Sequence, residues 1–406
     1  MSKILVASMA YDAEHGGGSV RIGYDLSALL TDRGHQVIVV CEDLFDRGVE
    51  RETVNGITVL RYRLARSFGS AFRRHHAHIT AVKRLLNKYL AEPPDVVHGH
   101  HPFQYVAALD LFQSSSRCCY TIHSPTVDEV SITWGAQGLG GKIKAWLGLP
   151  IVRRIERDVL QRSSAVTALS DYTSTLIAHH YGVAVARKIR KIPGWVDTEK
   201  FHPLNNDQAD SARQRLGWPL GRPVIFVLRR LEPRMGLDNL LKALALVKRR
   251  GFSPLTVIGG NGSLKASLIR LRDLLGLQDD VMFMGFVPAN QISLAYGACD
   301  ASIIPTAQLE CFGIIALEAL ACGKPTLVTP VGALPEVMRT FEAQWIASNN
   351  TPEGIANLLC DYMRGSLPQH SPDELRAIIR KYYMVERAVE AYEQILMGKD
   401  INIENL

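Results

Sequence analysis

Short apolar segments that alternate with helical segments constrain the fold of this 406-residue chain more than any other feature. A first series of predicted strands comprises residues 4–7, 36–41, 95–98, 119–122 and 165–169. A second series comprises residues 224–228, 255–258, 281–284, 301–304 and 326–329. A polar, proline-marked stretch, residues 195–223, separates the two series. Because short apolar strands joined by helices form parallel sheets, the pattern predicts two α/β domains with doubly wound parallel sheets.

Composition excludes several other classes of protein. Hydrophobic residues make up 47% of the chain and charged residues 21%, which argues against a disordered or fibrous protein. The seven cysteines show no CxxC spacing, so we expect free buried thiols and no disulfide framework. No apolar run approaches the ~20 residues of a membrane span, and the first run is interpreted as a strand, so a cytoplasmic protein is expected. The net charge of +6 is too small to indicate nucleic-acid binding.

One segment, residues 61–90, is basic and contains no acidic residue. Its cations are Arg61, Arg63, Arg66, Arg73, Arg74, Lys83, Arg84 and Lys88. Apolar residues in its second half have helical spacing. Two interpretations follow: a helix packed on its domain with a solvated basic face, or an amphipathic helix in peripheral contact with an anionic membrane.

The most informative string is ECFGIIALEALACGKP, residues 310–325. It predicts a loop followed by a buried apolar helix that opens near Gly313. The N-terminus of such a helix suits a phosphate. A diphosphate bound there would place a sugar near Glu310 and a ribose near Glu318, roughly 7.5 Å along the helix axis. The alternative is a structural helix whose one carboxylate, Glu318, pairs with a neighbouring arginine.

The complete string resembles the donor-site motif of the retaining family 4 glycosyltransferases, E-x-F-G-x4-E-A followed by G-x-P. Weaker matches occur in the family's order along the chain. They are Gly17-Gly18 with Arg21, His123 after a strand, and residues 168–170, 192–197, 259–262, 283–288 and 332–336.

The resemblance implies the GT-B fold, in which two Rossmann-like domains face each other across a cleft. It implies an acceptor-binding domain at residues 1–200, a nucleotide-sugar-binding domain at residues 201–379, and a C-terminal helix at about 380–406 that packs on the first domain. The implied reaction is transfer of a hexosyl unit, with retention of configuration, from a UDP or GDP sugar. The acceptor would be a sugar, a lipid-linked compound or a small molecule, and no bound metal is expected.

The resemblance also implies roles for individual residues. In the catalytic set, Glu310 orients the sugar, Arg230 stabilises the diphosphate, and His123 contacts the sugar; Arg234 belongs to this set only through the hypothesis given in the next paragraph. The implied donor-binding residues are Gly17, Gly18, Gly260, Phe286, Cys311, Phe312, Gly313, Ile314, Ile315 and Glu318.

The string RRLEPRMG, residues 229–236, departs from the family pattern G-R-L-x-x-x-K-G. Arg230 matches the arginine, but Met235 stands where the family has a lysine that neutralises the diphosphate. One hypothesis is that Arg234 supplies the missing cation, within a cluster that also includes Arg229 and Arg230. The other is a weakened or absent transferase activity.

Two further positions are interpreted through the resemblance. Ala333 replaces the usual second glycine of its turn, where we expect altered geometry because alanine tolerates positive φ poorly. The basic stretch 142–162, with Trp146 and Leu147, aligns with a family helix, so a structural role is expected there. Related enzymes with lipid-linked or anionic acceptors use basic surfaces to contact bilayers, which keeps the membrane interpretation of residues 61–90 open.

Other functions also remain open. The glycine cluster 16–18 with Glu42 resembles part of a dinucleotide-binding fingerprint, although Arg21 occupies the third glycine position. Histidines at 75–78 and 98–101 lack a convincing ligand set, so we expect polar loop or cleft histidines and not a metal site. A non-catalytic nucleotide-sugar-binding module, or a GT-B enzyme of other chemistry such as a phosphorylase or an epimerase, is the alternative function.

Overall fold

The computed structural model describes residues 1–12, 17–64 and 71–399, and for residues 71–73 it describes the backbone alone. The chain divides into two compact units. One consists of Met1–Pro193 with Glu386 and the residues that follow it, and the other of Gly194–Val385. The chain leaves the first unit at Pro193, whereas the sequence analysis placed the boundary near residue 200.

The first unit is built on an eight-stranded sheet with the strand order β3-β4-β2-β1-β5-β6-β7-β8. All neighbours are parallel except the antiparallel pair β3–β4. Its elements are β1 (Lys3–Ala7), α1 (Gly18–Asp32), β2 (Gln36–Glu42), β3 (Arg51–Val54), β4 (Ile57–Tyr62), α2 (Ala71–Tyr89), β5 (Val96–Gly99), α3 (Pro102–Phe112), β6 (Arg117–Ile122), α4 (Thr126–Gly135), α5 (Gly138–Arg162), β7 (Ala165–Ala168), α6 (Asp171–Tyr181), α7 (Val183–Ala186) and β8 (Ile189–Lys191).

The second unit is built on a five-stranded parallel sheet with the strand order β11-β10-β9-β12-β13. Its elements are α8 (Asn206–Leu216), β9 (Val224–Leu228), α9 (Leu237–Arg249), β10 (Leu255–Gly259), α10 (Lys265–Leu274), β11 (Val281–Gly285), α11 (Ala289–Ala298), β12 (Ala301–Ile304), α12 (Ile314–Ala321), β13 (Thr326–Val328), α13 (Leu334–Met338), α14 (Pro352–Met363) and α15 (Pro372–Tyr382), with 3-10 turns at Pro233–Met235 and Ala343–Trp345. The two doubly wound parallel sheets predicted from the strand pattern are confirmed.

The last helix, α16 (Val385–Leu396), packs on the first unit. Its Glu393 forms an ion pair with Arg33 at 2.7 Å, and the ring of Tyr392 lies 5.9 Å from that of His98. Residues 400–406, which the sequence analysis included in this helix, lie outside the described residues.

A hairpin of β3 and β4 was not predicted from the sequence. Val54 pairs with Ile57, so the connecting loop has two residues. These are Asn55 and Gly56, with φ values of 50° and 79°. Positive φ at both positions is what a type I′ turn requires, and Asn-Gly is the usual sequence for it. The hairpin therefore had a local signal that the strand pattern alone did not reveal.

The described part of the basic segment 61–90 is folded against the first unit. The apolar face of α2 is completely buried at Val82, Leu85 and Leu86. Its cations pair with acidic residues from outside the segment: Lys83 with Asp110 at 2.8 Å, Arg84 with Glu50 at 3.0 Å and Lys88 with Glu50 at 2.6 Å. This favours the packed interpretation of the segment. Residues 65–70, which include Arg66, and the side chains of 71–73 lie outside the described residues.

Candidate functional site

In the sheet of the second unit, the strand order changes direction between the neighbouring strands β9 and β12. From β9 the chain adds β10 and β11 on one side, and it then returns to add β12 and β13 on the other. In open α/β sheets a ligand crevice forms at the carboxyl ends of the strands at such a switch point. Arg229 and Arg230 follow β9 there, and the loop that follows β12 leads to Glu310.

Glu310 is held by an ion pair that the tertiary structure creates. The Arg229 guanidinium donates hydrogen bonds to the Glu310 carboxylate and to the Thr306 hydroxyl, and Thr306 donates to Glu310 at 3.2 Å. The side chains of Arg229 and Glu310 are only 8% and 13% exposed. Burial alone would raise the pKa of Glu310, but Arg229, together with Arg234 and Thr306, outweighs it and lowers that pKa. Glu310 is therefore an ionised hydrogen-bond acceptor at neutral pH.

The position of Arg229 changes one expectation from the sequence. Arg229 was grouped with Arg230 and Arg234 as a cation for a diphosphate, and the structure pairs it with Glu310. Its Nε atom is buried and, within the described residues, has no hydrogen-bond partner. Thr306 was not predicted as a site residue, and Arg229 was expected only as a member of the arginine cluster, not as the partner of Glu310. The available signal was the arginine at position 229, where the family pattern has a glycine.

The loop that precedes Glu310 is braced by the turn at residues 233–236. The backbone N–H groups of Ala307 and Gln308 donate to the Arg234 carbonyl at 2.9 and 3.1 Å, and Arg234 Nη1 donates to the Leu309 carbonyl at 2.7 Å. Leu309 has a φ of 51°, a left-handed conformation that is unfavourable for leucine. Gly236 sits so close to this loop that a Cβ atom would lie 1.9 Å from the Pro305 carbonyl oxygen.

The turn also explains why an apolar residue, Met235, is accepted at this position. Met235 is 3% exposed, so its side chain is packed in the interior of the unit. An apolar residue is suited to that environment, whereas a charged one would need a partner. The neighbouring Arg234 donates a hydrogen bond to the Glu310 loop instead.

Helix α12 begins at Ile314, four residues after Glu310, with Gly313 as its N-cap at a φ of 90°. A Cβ atom at Gly313 would lie 2.7 Å from Leu334 Cδ2. The turn that contains Gly332 and Ala333 closes over the start of this segment, because the Ala333 N–H donates to the Glu310 carbonyl at 2.7 Å. Gly332 carries the positive φ, 65°, and Ala333 is in the ordinary right-handed region at −83°. Alanine at position 333 therefore does not need a positive φ.

The other predicted residues of the second unit surround the start of this helix or the neighbouring strand ends. Cys311, Phe312 and Glu318 are buried, and Ile314 and Ile315 are half-buried. Gly260 follows β10, where a Cβ atom would lie 1.9 Å from the Arg229 carbonyl oxygen. Phe286, after β11, is 43% exposed and Arg230 is also exposed.

The first unit places its predicted residues at the carboxyl ends of its own central strands. His123 follows β6 and His100 follows β5, and His100 Nδ1 lies 2.8 Å from His123 Nε2. Gly23 of α1, the helix that begins at Gly18, lies against His100. Burial, and then the neighbouring histidines, lowers the pKa of both His100 and His123 well below the usual value. Both imidazoles are therefore neutral at neutral pH, so His123 can exchange a hydrogen bond with a ligand but cannot neutralise a diphosphate.

The glycine cluster and the histidine groups were the other candidates for a functional role. Gly17 precedes α1 as its N-cap, and Gly16 lies outside the described residues. Over residues 1–12, 17–64 and 71–399, no group of three histidine, cysteine, aspartate or glutamate residues is arranged to hold a metal ion. All seven cysteines are buried free thiols, as expected from their spacing.

Two family models match consecutive parts of the chain. Residues 16–200 match the model described as Glycosyltransferase Family 4, and residues 208–383 match that described as Glycosyl transferases group 1. The chain belongs to the family 4 glycosyltransferases, which confirms the resemblance that the motifs indicated.

One relative of this chain is a mannosyltransferase by name. The GDP-mannose-dependent alpha-(1-6)-phosphatidylinositol monomannoside mannosyltransferase of Mycolicibacterium smegmatis is 30% identical over 225 residues, which is 54% of this chain and 58% of that protein. The chain therefore aligns with somewhat more than half the length of that relative.

Two solved structures share the fold over nearly the full chain. Sucrose-phosphate synthase from Thermosynechococcus elongatus superposes with a TM-score of 0.78 at 18% identity, covering 98% of both chains. Anabaena HepE in complex with UDP and glucose superposes with a TM-score of 0.75 at 19% identity, covering 98% of this chain and 100% of that one. The fold is GT-B, as the resemblance implied.

Proposed function

We propose that this chain is a retaining glycosyltransferase that moves a hexosyl unit from a nucleotide-diphosphate sugar to an acceptor hydroxyl. The observation that carries the proposal is the ionised Glu310, which lies four residues before the start of α12 and eight residues ahead of the buried Glu318. Family membership supports it, as does the GDP-mannose dependence in the printed name of the mycobacterial relative. HepE was solved with UDP, so UDP and GDP are the nucleotides to test first.

The chemical task is to break the bond between the anomeric carbon and the diphosphate. Arg230, Arg234 and the N-terminus of α12 would stabilise the negative charge that develops on the leaving diphosphate, which is usually the largest catalytic contribution. Glu310 would accept hydrogen bonds from sugar hydroxyls, and Glu318 from the ribose. The acceptor oxygen would bond to the anomeric carbon on the face that the diphosphate leaves, and its proton would pass to the departing phosphate.

The remaining predicted contacts rest on the family resemblance. His123 would exchange a hydrogen bond with the sugar, and the backbone at Gly17 and Gly18 would approach the diphosphate. The residues proposed to line the nucleotide are Gly260, Phe286, Cys311, Phe312, Gly313, Ile314 and Ile315. Because arginines and a helix end supply the positive charge, the proposed reaction needs no bound metal, and a chelator should leave the rate unchanged.

The acceptor is proposed to be a sugar, a lipid-linked compound or a small molecule, used by a cytoplasmic enzyme. Among the described residues, no helix is both long and apolar enough to span a bilayer. Peripheral contact of residues 61–90 with an anionic membrane stays a prediction, although ion pairs within the unit already engage Lys83, Arg84 and Lys88.

The experiment that tests the proposal measures release of UDP or GDP from a panel of nucleotide sugars, with and without candidate acceptors. Acceptor-dependent release, with retained configuration in the product, is the expected result. A module that only binds nucleotide sugars would bind the donor and release nothing. A phosphorylase or an epimerase would convert its substrate without acceptor-dependent release of a nucleoside diphosphate.

The role of Arg234 has a separate test. Arg234→Ala should weaken donor binding and slow turnover, each by roughly tenfold or more, because one cation at the diphosphate is lost. The exposed Arg249, on α9, provides the matched control Arg249→Ala. Unchanged donor affinity and turnover in Arg234→Ala would show that Arg234 does not replace the family lysine.

A further inference from the structure

Helix α5 (Gly138–Arg162) presents two different faces along its length. One face is buried and includes Gly141, Gly148, Val152, Ile155 and Val159. It packs on α3 and α4. A Cβ atom at Gly141 would lie 2.0 Å from the Trp134 carbonyl oxygen, so this face is held closely against α4. This packing determines how the helix is rotated about its axis, and therefore which of its residues face outward.

The outer face carries large apolar side chains exposed to solvent. The exposed fractions are 76% for Leu139, 54% for Ile143, 78% for Trp146 and 60% for Leu147. Their spacing of four, seven and eight residues from Leu139 places them on one side of an α-helix. Single exposed apolar residues are common on protein surfaces, but a continuous apolar row marks a contact surface.

The same helix carries unpaired positive charge. Residues 138–155 contain no acidic residue. The exposed cations of the helix are Lys142, Lys144, Arg153, Arg154 and Arg157, and within the described chain none of them lies in ion-pair distance of a carboxylate. Lys144 and Arg157 lie over the rings of Trp134 and Tyr181, which leaves their charge without an acidic partner. Arg162, at the end of the helix, is by contrast paired with Asp110 and Asp158 at 2.9 Å. Lys83, Arg84 and Lys88 of α2 are also paired with carboxylates, so the five exposed cations of α5 differ from them.

A cleft of about 1220 Å³ lies beside the outer face. Apolar side chains that include Trp146, Leu149 and Pro150 form part of its lining. Arg153, Arg154 and Arg157 form another part, next to Asp158, whose carboxylate is paired with Arg162. Apolar walls next to guanidinium groups suit a molecule with a phosphate head and an acyl stem, because arginine binds phosphate in a bidentate manner.

We propose that the outer face of α5 docks on an anionic phospholipid bilayer. Leu139, Ile143, Trp146 and Leu147 enter the boundary between headgroups and acyl chains, while the lysines and arginines contact lipid phosphates. A tryptophan with flanking cations on an amphipathic helix is the composition that such interfacial binding requires. A symmetric contact between two copies would bring five unpaired cations of each copy together, so the charge favours a bilayer. The proposal is independent of the transfer reaction.

The test is cosedimentation of the purified full chain with vesicles of phosphatidylcholine alone and of phosphatidylcholine mixed with phosphatidylglycerol. The wild type should bind the mixed vesicles, and added salt should weaken the binding. Arg153→Gln/Arg154→Gln/Arg157→Gln should reduce partitioning on the order of a hundredfold, since three phosphate contacts are lost. Leu139→Ser/Ile143→Ser/Trp146→Ser/Leu147→Ser should reduce it at least as much, and because these side chains are exposed, the melting temperature should stay unchanged.

The matched control is the triple variant Lys83→Gln/Arg84→Gln/Lys88→Gln on α2, which removes the same charge from the segment 61–90. It should bind the mixed vesicles within about twofold of the wild type, because these cations are already paired. A larger loss in this control than in the α5 variants would place the membrane contact on α2 and overturn the proposal. Absence of vesicle binding by the wild type would also overturn it.

A second measurement follows Trp146 directly. The chain has five tryptophans, so the emission of the wild type is compared with that of Trp146→Phe. The wild-type emission should shift to shorter wavelength with anionic vesicles and be quenched by brominated acyl chains, and both changes should be lost in Trp146→Phe. Sedimentation velocity provides the remaining comparison. If the wild type were a dimer that the quadruple apolar variant converts to a monomer, with no vesicle binding in either, the face would be an interface between copies and not a membrane surface.

Discussion

Glu310 stays ionised in a largely buried position because Arg229 and Thr306 hold it. The sequence motif predicted a functional role for Glu310, but it did not reveal this partner. Arg229 and Glu310 are separated by 81 residues and meet because β9 and β12 are neighbours in the sheet. No local pattern reports such a pairing, since it depends on strand order.

Removing one partner of the Arg229–Glu310 pair should lower the stability of the protein much more than removing both partners. Glu310→Gln should lower the free energy of unfolding by about 3 kcal/mol, because the Arg229 charge loses its partner. It should also lower kcat/KM on the order of a hundredfold. Arg229→Gln/Glu310→Gln should return to within about 1 kcal/mol of the wild type in stability while remaining inactive.

Chemical denaturation and steady-state kinetics on the same preparations measure both effects. A single variant as stable as the wild type would show that the ion pair contributes nothing to folding. Recovery of activity in the double variant would contradict the role assigned to Glu310.

The same pair predicts a pH dependence of stability. The pKa of Glu310 is lower in the folded than in the unfolded chain, where a glutamate titrates at about 4.3. Its contribution is therefore complete above the unfolded pKa and is lost as the pH falls through the folded pKa. As the pH is lowered from about 6 to about 3, the free energy of unfolding of the wild type should fall relative to that of Arg229→Gln/Glu310→Gln. A difference independent of pH over this range would contradict the assignment.

At the level of elements, the turn at residues 233–236 and the loop before Glu310 form one packed structure. In the sequence, the segment of this turn departs from the family pattern, and Met235 was expected to leave a positive charge missing. The structure shows why the position accepts methionine, since its side chain is buried while Arg234 contacts the loop. It also shows that Ala333 needs no positive φ. Both outcomes depend on packing between segments that are distant in sequence.

This packing can be tested with two glycines that have similar backbone conformations. Gly236 and Gly251 have φ values of 70° and 87°, but only Gly236 would place a Cβ atom against the Pro305 carbonyl. Gly251→Ala should cost about 1–2 kcal/mol from its backbone conformation alone. Gly236→Ala should cost a further 1–3 kcal/mol from overpacking and should weaken donor binding.

Thermal denaturation and nucleotide-binding titrations of the two variants make the comparison. Equal losses of stability with unchanged donor affinity in both would show that the turn does not brace the site.

The amphipathic helices α2 and α5 show what a pattern of apolar and basic residues can and cannot predict. The two helices have comparable charge, and the sequence analysis favoured a structural role for the α5 stretch while leaving α2 open to membrane contact. In the structure the apolar side chains of α2 are buried, and those at the start of α5 are exposed. Periodicity identifies an apolar face, but only the neighbouring elements decide whether that face is covered.

At the level of the whole molecule, a nucleotide should stabilise one part of the chain more than others. Hydrogen exchange with and without UDP or GDP should show protection at residues 229–236 and 305–318, because the proposed contacts lie there. The peptides of α5 should be unaffected and serve as an internal control. The melting temperature should rise with nucleotide concentration, as expected for a ligand that binds only the folded state. Unchanged exchange in both segments, together with an unchanged melting temperature, would count against the proposed donor site.

The sequence by itself determined the class of fold and the identity of the central motif. Strand periodicity and the order of glycines, carboxylates and arginines are local properties, so they predicted two parallel α/β sheets and the segment from Glu310 to Glu318. Only the tertiary structure decided that Arg229 pairs with Glu310 and that the outer face of α5 is exposed while that of α2 is covered. The physical reason is the same in both cases. Charge pairing and burial depend on which elements become neighbours in space, and a local sequence pattern does not record this.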